Sequence, residues 1–310
     1  MAKGNMTEIS VIIPSYNPDA GNINAVLQAL RAQTYPCFNW ELIIVDNNST
    51  NGVLQNIDLS WHGMAVVIRE QKQGLTYSRL AGFKAAKGRI VVMVDDDNLL
   101  DPGYLDNVAV IFSADSTLGA AGGKSVPIFE TPPPAWLKEF YGSLALRDPG
   151  DEILTSKWEE VYPAAAPIGA GMAIRKTALR SYLEKTGGVK QVIADRSGSS
   201  LASGGDNDIV LEILRSGWRT GYYPALSLKH IIPAARMQPG YVAKLLNNTN
   251  KSWVQVLASH QISPWKKIPK WTLPFRKARS WFSCRAWKSP AQYIKWQAAC
   301  GLFEGQAAIN

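Results

Sequence analysis

Ile90-Val91-Val92-Met93-Val94-Asp95-Asp96-Asp97 sets an unbroken apolar run directly before three carboxylates. A short apolar run rich in β-branched residues reads as a strand buried on both faces. Three adjacent charges cannot follow it into the core uncompensated, so the run ends at an exposed carboxyl edge, close to a cation. In open α/β sheets ligands bind outside that edge. Hard oxygen donors there suit Mg²⁺ or Mn²⁺, and such an ion commonly grips a substrate phosphate. The competing reading is an acidic turn, to which Asn98 and Pro102 are suited.

Working outward, Ile9 to Pro14 reads as a first strand, and Pro14-Ser15-Tyr16-Asn17-Pro18 as the loop that ends it. Ile23, Val26, Leu27 and Leu30 recur at helical spacing. Trp40 to Val45 is a second strand, followed by the turn-forming cluster Asp46-Asn47-Asn48-Ser49-Thr50. Val66 to Arg69 reads as a third strand, and Thr76 to Ala86 as a helix with Lys87-Gly88 as its C-cap. Strands alternating with helices predict a largely parallel α/β sheet with right-handed crossovers. Beyond Gly122-Gly123 the pattern is irregular. Ile209 to Leu214 reads as a helix, and Tyr222-Tyr223 as the start of a strand through Leu228. From Tyr241 on, helical segments are interrupted by Pro264, Pro269, Pro274 and Pro290.

Charge is segregated along the 310 residues. Between Glu212 and Glu304 there are fifteen Lys and Arg and no Asp or Glu, while the rest of the chain has a net charge of −7. An acidic body joined to a basic end is the expectation. Cys37, Cys284 and Cys300 are odd in number and widely spaced, which suits neither a disulfide framework nor a zinc site and points to a reducing compartment. The polar start of the chain lacks the apolar stretch of a signal peptide, and no run reaches the roughly 18 apolar residues of a spanning helix.

Three polar loops, at Asn17, Asp46 and Asp95, thus follow three strands that share one sheet edge. Asp46 alone reads best as a cap, but the three loops together favour a nucleotide site. The motifs carrying those loops resemble a family 2 glycosyltransferase with the GT-A fold. Val11-Ile12-Ile13-Pro14-Ser15-Tyr16-Asn17 is similar to the family's opening strand and nucleotide loop. Glu41-Leu42-Ile43-Ile44-Val45-Asp46-Asn47-Asn48-Ser49 is similar to its second strand, base-binding Asp and following turn. Gly74-Leu75-Thr76-Tyr77-Ser78-Arg79 resembles the segment that brings an Arg to the base and phosphates. Asp95-Asp96-Asp97 stands as the DxD element. The resemblance implies that Pro14, Ser15, Tyr16, Asn17, Asp46, Asn48, Arg79, Asp95 and Asp96 bind the donor, and that Asp95 and Asp97 hold Mn²⁺ or Mg²⁺.

The resemblance continues to about residue 235. Pro167-Ile168-Gly169-Ala170-Gly171-Met172 is similar to the small-residue segment beside the transferred sugar. Gly204-Gly205-Asp206-Asn207-Asp208 resembles the Gly-Glu-Asp-x-Asp motif, which makes Asp206 the implied catalytic base. His230 falls where some members place a metal or phosphate ligand. Gly169, Ala170, Gly171, Asp208 and Trp136 make up the sugar and acceptor side; helix capping competes for Asp208, and core packing for Trp136. Two positions depart from the pattern. Gly205 replaces the family's Glu, and Leu80 stands where an Asn often follows the Arg.

The implied enzyme is an inverting, metal-dependent glycosyltransferase. It takes a nucleotide donor, a UDP-sugar first, and a glycan or lipid-linked acceptor of cell-surface polysaccharide synthesis. The implied domains are a catalytic region over 1–240, its nucleotide half ending near 100, and a basic helical segment over 241–310. In that segment Trp253, Trp265, Trp271, Trp281, Trp287 and Trp296 alternate with Lys and Arg. Such a mixture suits an anionic membrane surface first, a basic face packed on the body second, and nucleic acid third. The expected location is cytoplasmic, peripheral on the inner face of the membrane. Gly205 leaves open a non-catalytic nucleotide-sugar or glycan-binding relative. A metal-dependent phosphatase or nucleotidyltransferase ranks lower, because the Asp95 run lacks the Thr of the aspartyl-phosphate type.

Overall fold

The computed structural model describes residues 7–187 and 203–309. They form two compact bodies, one built from residues 7–128, 147–187 and 209–231, the other from 129–146, 203–208 and 232–309.

In the first body, β1 (Ile9–Ser15), β2 (Trp40–Asp46), β3 (Ala65–Arg69) and β4 (Ile90–Met93) run parallel in the order β3-β2-β1-β4. Every residue of β1 is buried, which is why residues 11–14 are a continuous apolar run rather than an alternation. The helices between the strands cover opposite faces. Ile9, Val11 and Ile13 pack with Ile23, Val26, Leu27 and Leu30 of α1 (Ala20–Arg31), whereas Ile12 packs with Phe83 of α2 (Leu75–Ala85). Alternate residues of one strand thus serve two layers. Asp19 caps α1 by accepting the Asn22 N–H at 2.9 Å.

The chain continues through β5 (Asn98–Leu100), α3 (Tyr104–Ala114), β6 (Leu118–Gly122), β7 (Ser125–Phe129), β8 (Leu154–Ser156), β9 (Ala173–Arg175), α4 (Arg180–Gly187), α5 (Gly205–Arg215), β10 (Arg219–Tyr222) and β11 (Leu228–Ile232). The eight-stranded sheet has the order β3-β2-β1-β4-β9-β6-β10-β8, with β9 antiparallel to both its neighbours. A small sheet, β5-β11-β7, stands beside it.

In these elements two local expectations are corrected. Lys87-Gly88 is not a left-handed C-cap, since α2 ends at Ala86 with extended backbone. Gly88 is required instead because a Cβ there would lie 2.7 Å from the backbone of Ile9 and Ser10. The strand expected from Tyr222 through Leu228 is two strands in two sheets. A turn closed by the Leu226 N–H on the Tyr223 carbonyl separates β10 from β11.

The second body holds α6 (Pro239–Ser259), α7 (Leu273–Cys284) and α8 (Pro290–Ala307). Of the four prolines expected to interrupt helices, Pro264 and Pro269 lie between α6 and α7, whereas Pro274 and Pro290, like Pro239, lie in first turns and start helices. Leu137, Phe140, Val242, Leu245 and Ile294 form the core. A Cβ on Gly301 would stand 2.1 Å from the Asn247 carbonyl oxygen, so α8 meets α6 at backbone distance. Asn247 and Asn250 donate across this seam to the Gln297 and Ala298 carbonyls at 3.1 and 3.0 Å. Among the described residues no helix is long and apolar enough to cross a membrane.

Candidate active site

The three polar loops share one edge because β2, β1 and β4 are adjacent and parallel. Ser15 and Asp46, the last residues of β1 and β2, are register partners. Ser15 Oγ donates to Asp96 Oδ2 at 2.6 Å, tying the first loop to the third. Asn17 ties it to the second. Its backbone is left-handed, with φ of 48°, and its Oδ1 accepts the Thr50 and Asn51 N–H groups at 2.7 and 3.2 Å. The first loop therefore clasps both neighbours, with Tyr16 exposed at its tip and Pro14 buried.

Asp46 is half-buried, and its Oδ1 accepts the Ser49 N–H at 2.8 Å. It closes a turn, and no helix starts there, so the expectation of a helix cap is corrected. Asn48, at φ 63°, accepts from Arg69 Nη2 at 2.7 Å. Its neighbour Asn47, absent from the sequence-based candidates, organises the site. It is buried, accepts the Gly74 N–H at 2.8 Å and donates to the Lys72 carbonyl at 2.8 Å. That brace holds the second loop against the entry to α2, which carries the buried Arg79 on its second turn. An amide directly after a strand-ending Asp, with a glycine opening the next helix, was the available signal.

The acidic triplet is split by its surroundings. Asp95 and Asp96 are half-buried. Asp97 is only 6% exposed, and its Oδ1 lies 3.4 Å from Nε2 of His230, which is 5% exposed. Strand pairing brings them together, because β5 runs antiparallel to β11 with His230 opposite Asn98, and the Ile231 N–H donates to the Asp97 carbonyl at 2.9 Å. A carboxylate and an imidazole converging in a buried spot suit Mn²⁺ or Mg²⁺, Mn²⁺ the better for its tolerance of nitrogen.

The small-residue segment sits beside β4, where the Met93 N–H donates to the Met172 carbonyl at 2.9 Å. Ala170 belongs to the core, and Gly171 takes φ of 72° with its carbonyl held by the Tyr104 hydroxyl. Full burial pushes the Tyr104 phenol well above its ordinary pKa, so it stays a donor.

In the second body, Asp206 and Asp208 lie on the first turns of α5, after Gly205. Asp208 is not a cap. It lies a turn inside the helix, buried, with Oδ1 2.6 Å from Nε2 of His260, itself buried at the end of α6. His260 reads from sequence as merely structural; nothing in its local pattern marks a partner 52 residues away. Trp136 is half-buried against the core, its ring 6.2 Å from that of Phe140. Among known families, the glycosyl transferase family 2 model matches residues 10–182.

This chain belongs to glycosyl transferase family 2.

The match takes in every donor-edge motif from β1 through Gly171. Glycosyltransferase AglE of Haloferax volcanii is 34% identical over 92 residues, 29% of this chain and 30% of the relative. The UDP-Glc:alpha-D-GlcNAc-diphosphoundecaprenol beta-1,3-glucosyltransferase WfgD of Escherichia coli is 29% identical over 92 residues, 29% of this chain and 35% of the relative. The chain spans about a third of the length of these curated relatives. Across the whole fold, TarS of S. aureus, solved with UDP, superposes with a TM-score of 0.54 at 14% identity, covering 96% of this chain and 90% of that one. The mannosyltransferase PcManGT of Pyrobaculum calidifontis, solved with GDP-Man and Mn²⁺, gives 0.56 at 20% identity, covering 94% and 73%. The fold of this family 2 chain is GT-A, with C-terminal helices appended.

Proposed function

We propose that this glycosyltransferase moves a sugar with inversion from a UDP-sugar to a glycan or lipid-linked acceptor of cell-surface polysaccharide synthesis, in the cytoplasm. The observation that carries the donor half is the convergence of the β1, β2 and β4 loops through Ser15, Asn17 and Asp96 on one sheet edge. On that edge Asp46 offers carboxylate oxygens to a base or ribose, and the exposed ring of Tyr16 offers a face for stacking. Buried Arg79 provides positive charge toward the base and phosphates. Asp97 and His230, with Asp95, would hold the divalent cation, whose chemistry is to neutralise the charge on the departing diphosphate. Gly169, Ala170 and Gly171 are assigned to the segment beside the transferred sugar. UDP is the favoured nucleotide because TarS is solved with it and the Escherichia coli relative is named for UDP-Glc.

Asp206 is assigned as the base. Its carboxylate takes the proton of the acceptor hydroxyl as that oxygen bonds to the anomeric carbon and the bond to the donor diphosphate breaks. Gly205 supplies no second carboxylate at the family's Glu position. The test is a panel of nucleotide sugars, scored for Mn²⁺-dependent binding and for hydrolysis or transfer. Asp206→Asn should keep donor affinity and lose transfer, since it preserves size while removing the proton acceptor. Near-normal turnover by that variant refutes the assignment; metal-dependent binding without any turnover by the wild type establishes the non-catalytic reading instead.

A further inference from the structure

Among the described residues, helix α7 is fastened by one face. Trp281 meets Trp296 of α8 edge-on at 4.7 Å, Trp296 Nε1 donates to the Lys277 carbonyl at 3.0 Å, and Lys277 pairs with Glu304 at 2.7 Å. The other face is aromatic. Trp271, one turn ahead of the helix, and Phe275 and Phe282 upon it are 74, 70 and 67% exposed. Phe275 and Phe282 are seven residues apart and so lie on one stripe. Trp287, 56% exposed, extends the stripe through an edge-to-face contact with Phe282 at 6.0 Å. Around these rings stand Arg276, Arg279, Arg285 and Lys288, all exposed and without an ion pair among the described residues. A groove of about 530 Å³ opens between Trp271, Phe275, Arg279 and Phe303. Four large rings left in water, two on α7 and one just beyond each of its ends, mark a surface with an occupant.

We propose that this face of α7 docks on an anionic phospholipid bilayer. Trp271, Phe275, Phe282 and Trp287 enter the headgroup boundary, and Arg276, Arg279, Arg285 and Lys288 meet lipid phosphates. Charge complementarity identifies the occupant, because the 91 residues between Glu212 and Glu304 contain no acid to repel an anionic surface. An apolar centre flanked by cations of one sign is the pattern of an interfacial helix. Phe282 and Trp287 meet edge to face at 6.0 Å, not as parallel plates between which a nucleic-acid base could stack. The proposal stands apart from the catalytic one, since docking requires neither donor nor metal.

The test is co-sedimentation of the full chain with phosphatidylglycerol-containing and pure phosphatidylcholine vesicles, without nucleotide. Point variants are used because truncation would remove α8 from its seam on α6. Binding should require the anionic lipid, weaken with salt and shift tryptophan emission to the blue. Phe275→Ala and Phe282→Ala should each weaken it about tenfold. Arg276→Gln and Arg279→Gln should each weaken it about fivefold. Phe38→Ala, an exposed position in the first body, should change nothing, and unchanged circular dichroism shows that the variants fold. Equal binding to neutral vesicles, or full binding by the doubly substituted Phe275→Ala/Phe282→Ala chain, overturns the proposal. So does self-association or binding of single-stranded RNA that depends on these rings in the absence of vesicle binding.

Discussion

Replacing Gly171 by Ala should unfold the first body at a markedly lower temperature. The residue holds φ of 72°, a conformation that costs a non-glycine residue about 1 kcal/mol. An added Cβ would also sit 2.5 Å from Leu228 Cδ2 and 2.7 Å from the Tyr104 hydroxyl oxygen. Neither neighbour has room to retreat, since both are buried in the same core cluster. Overpacking of this kind costs roughly 1–3 kcal/mol. The two effects together come to about 2–4 kcal/mol, which for a body of this size lowers the midpoint by roughly 5–15 °C. Thermal melting followed by circular dichroism reads it directly. Gly63→Ala is the control, since its Cβ would meet nothing within 4 Å. Tyr104→Phe relieves one of the two close approaches, so its combination with Gly171→Ala should be less than additive. A Gly171→Ala protein melting within about 1 °C of wild type would refute the packing argument.

Calorimetry should show UDP binding strengthened by Mn²⁺ in the wild type; Asp97→Ala should abolish that gain and His230→Ala reduce it, and an equal metal effect in wild type and Asp97→Ala would remove the assigned ligand. His260→Leu should cost on the order of 2 kcal/mol through the lost buried hydrogen bond to Asp208. Gln at that position, which keeps a donor, should recover part of both stability and kcat, while donor affinity stays the same; no difference between Leu and Gln would reduce His260 to a space-filler. Burial beside Trp40 and Trp61 pushes the His62 pKa below its usual 6.5, which favours the neutral ring in the folded chain. Its contribution is complete above pH 6.5 and is lost as pH falls from there through the lowered folded-state pKa. Denaturant midpoints across this range should therefore slope less in His62→Gln, and equal slopes would assign the effect to other groups.

The layer built by the first four strands was legible because its signals are local. A strand covered on both faces is largely apolar, as β4 is throughout and as β1 and β2 are over residues 11–14 and 42–45, and uncompensated charge cannot follow it inward. The position of Asp95-Asp96-Asp97 at the sheet edge follows from those two facts alone. The 3–4 spacing of Ile23, Val26, Leu27 and Leu30 likewise places α1. Segregation of charge and tryptophan toward the C-terminal segment was equally plain in the chain.

Only the tertiary structure decided which polar groups meet. The separation of Asp97 and His230 depends on β5 pairing with β11, more than a hundred residues apart, and local periodicity does not encode that register. Asp208 reads as a helix cap until α6 brings His260 against it. Asn47 looks like one turn residue among several, yet burial makes it the brace between two loops. Gly88 resembles a C-cap because sequence does not reveal that the backbone of β1 passes 2.7 Å from its missing Cβ. Tryptophans that look equivalent along the chain are sorted in the same way: Trp281 and Trp296 lock α7 to α8, while Trp271 and Trp287 remain in solvent. Residue type and spacing determine what a side chain can do, and packing between distant segments determines which of those capacities is used.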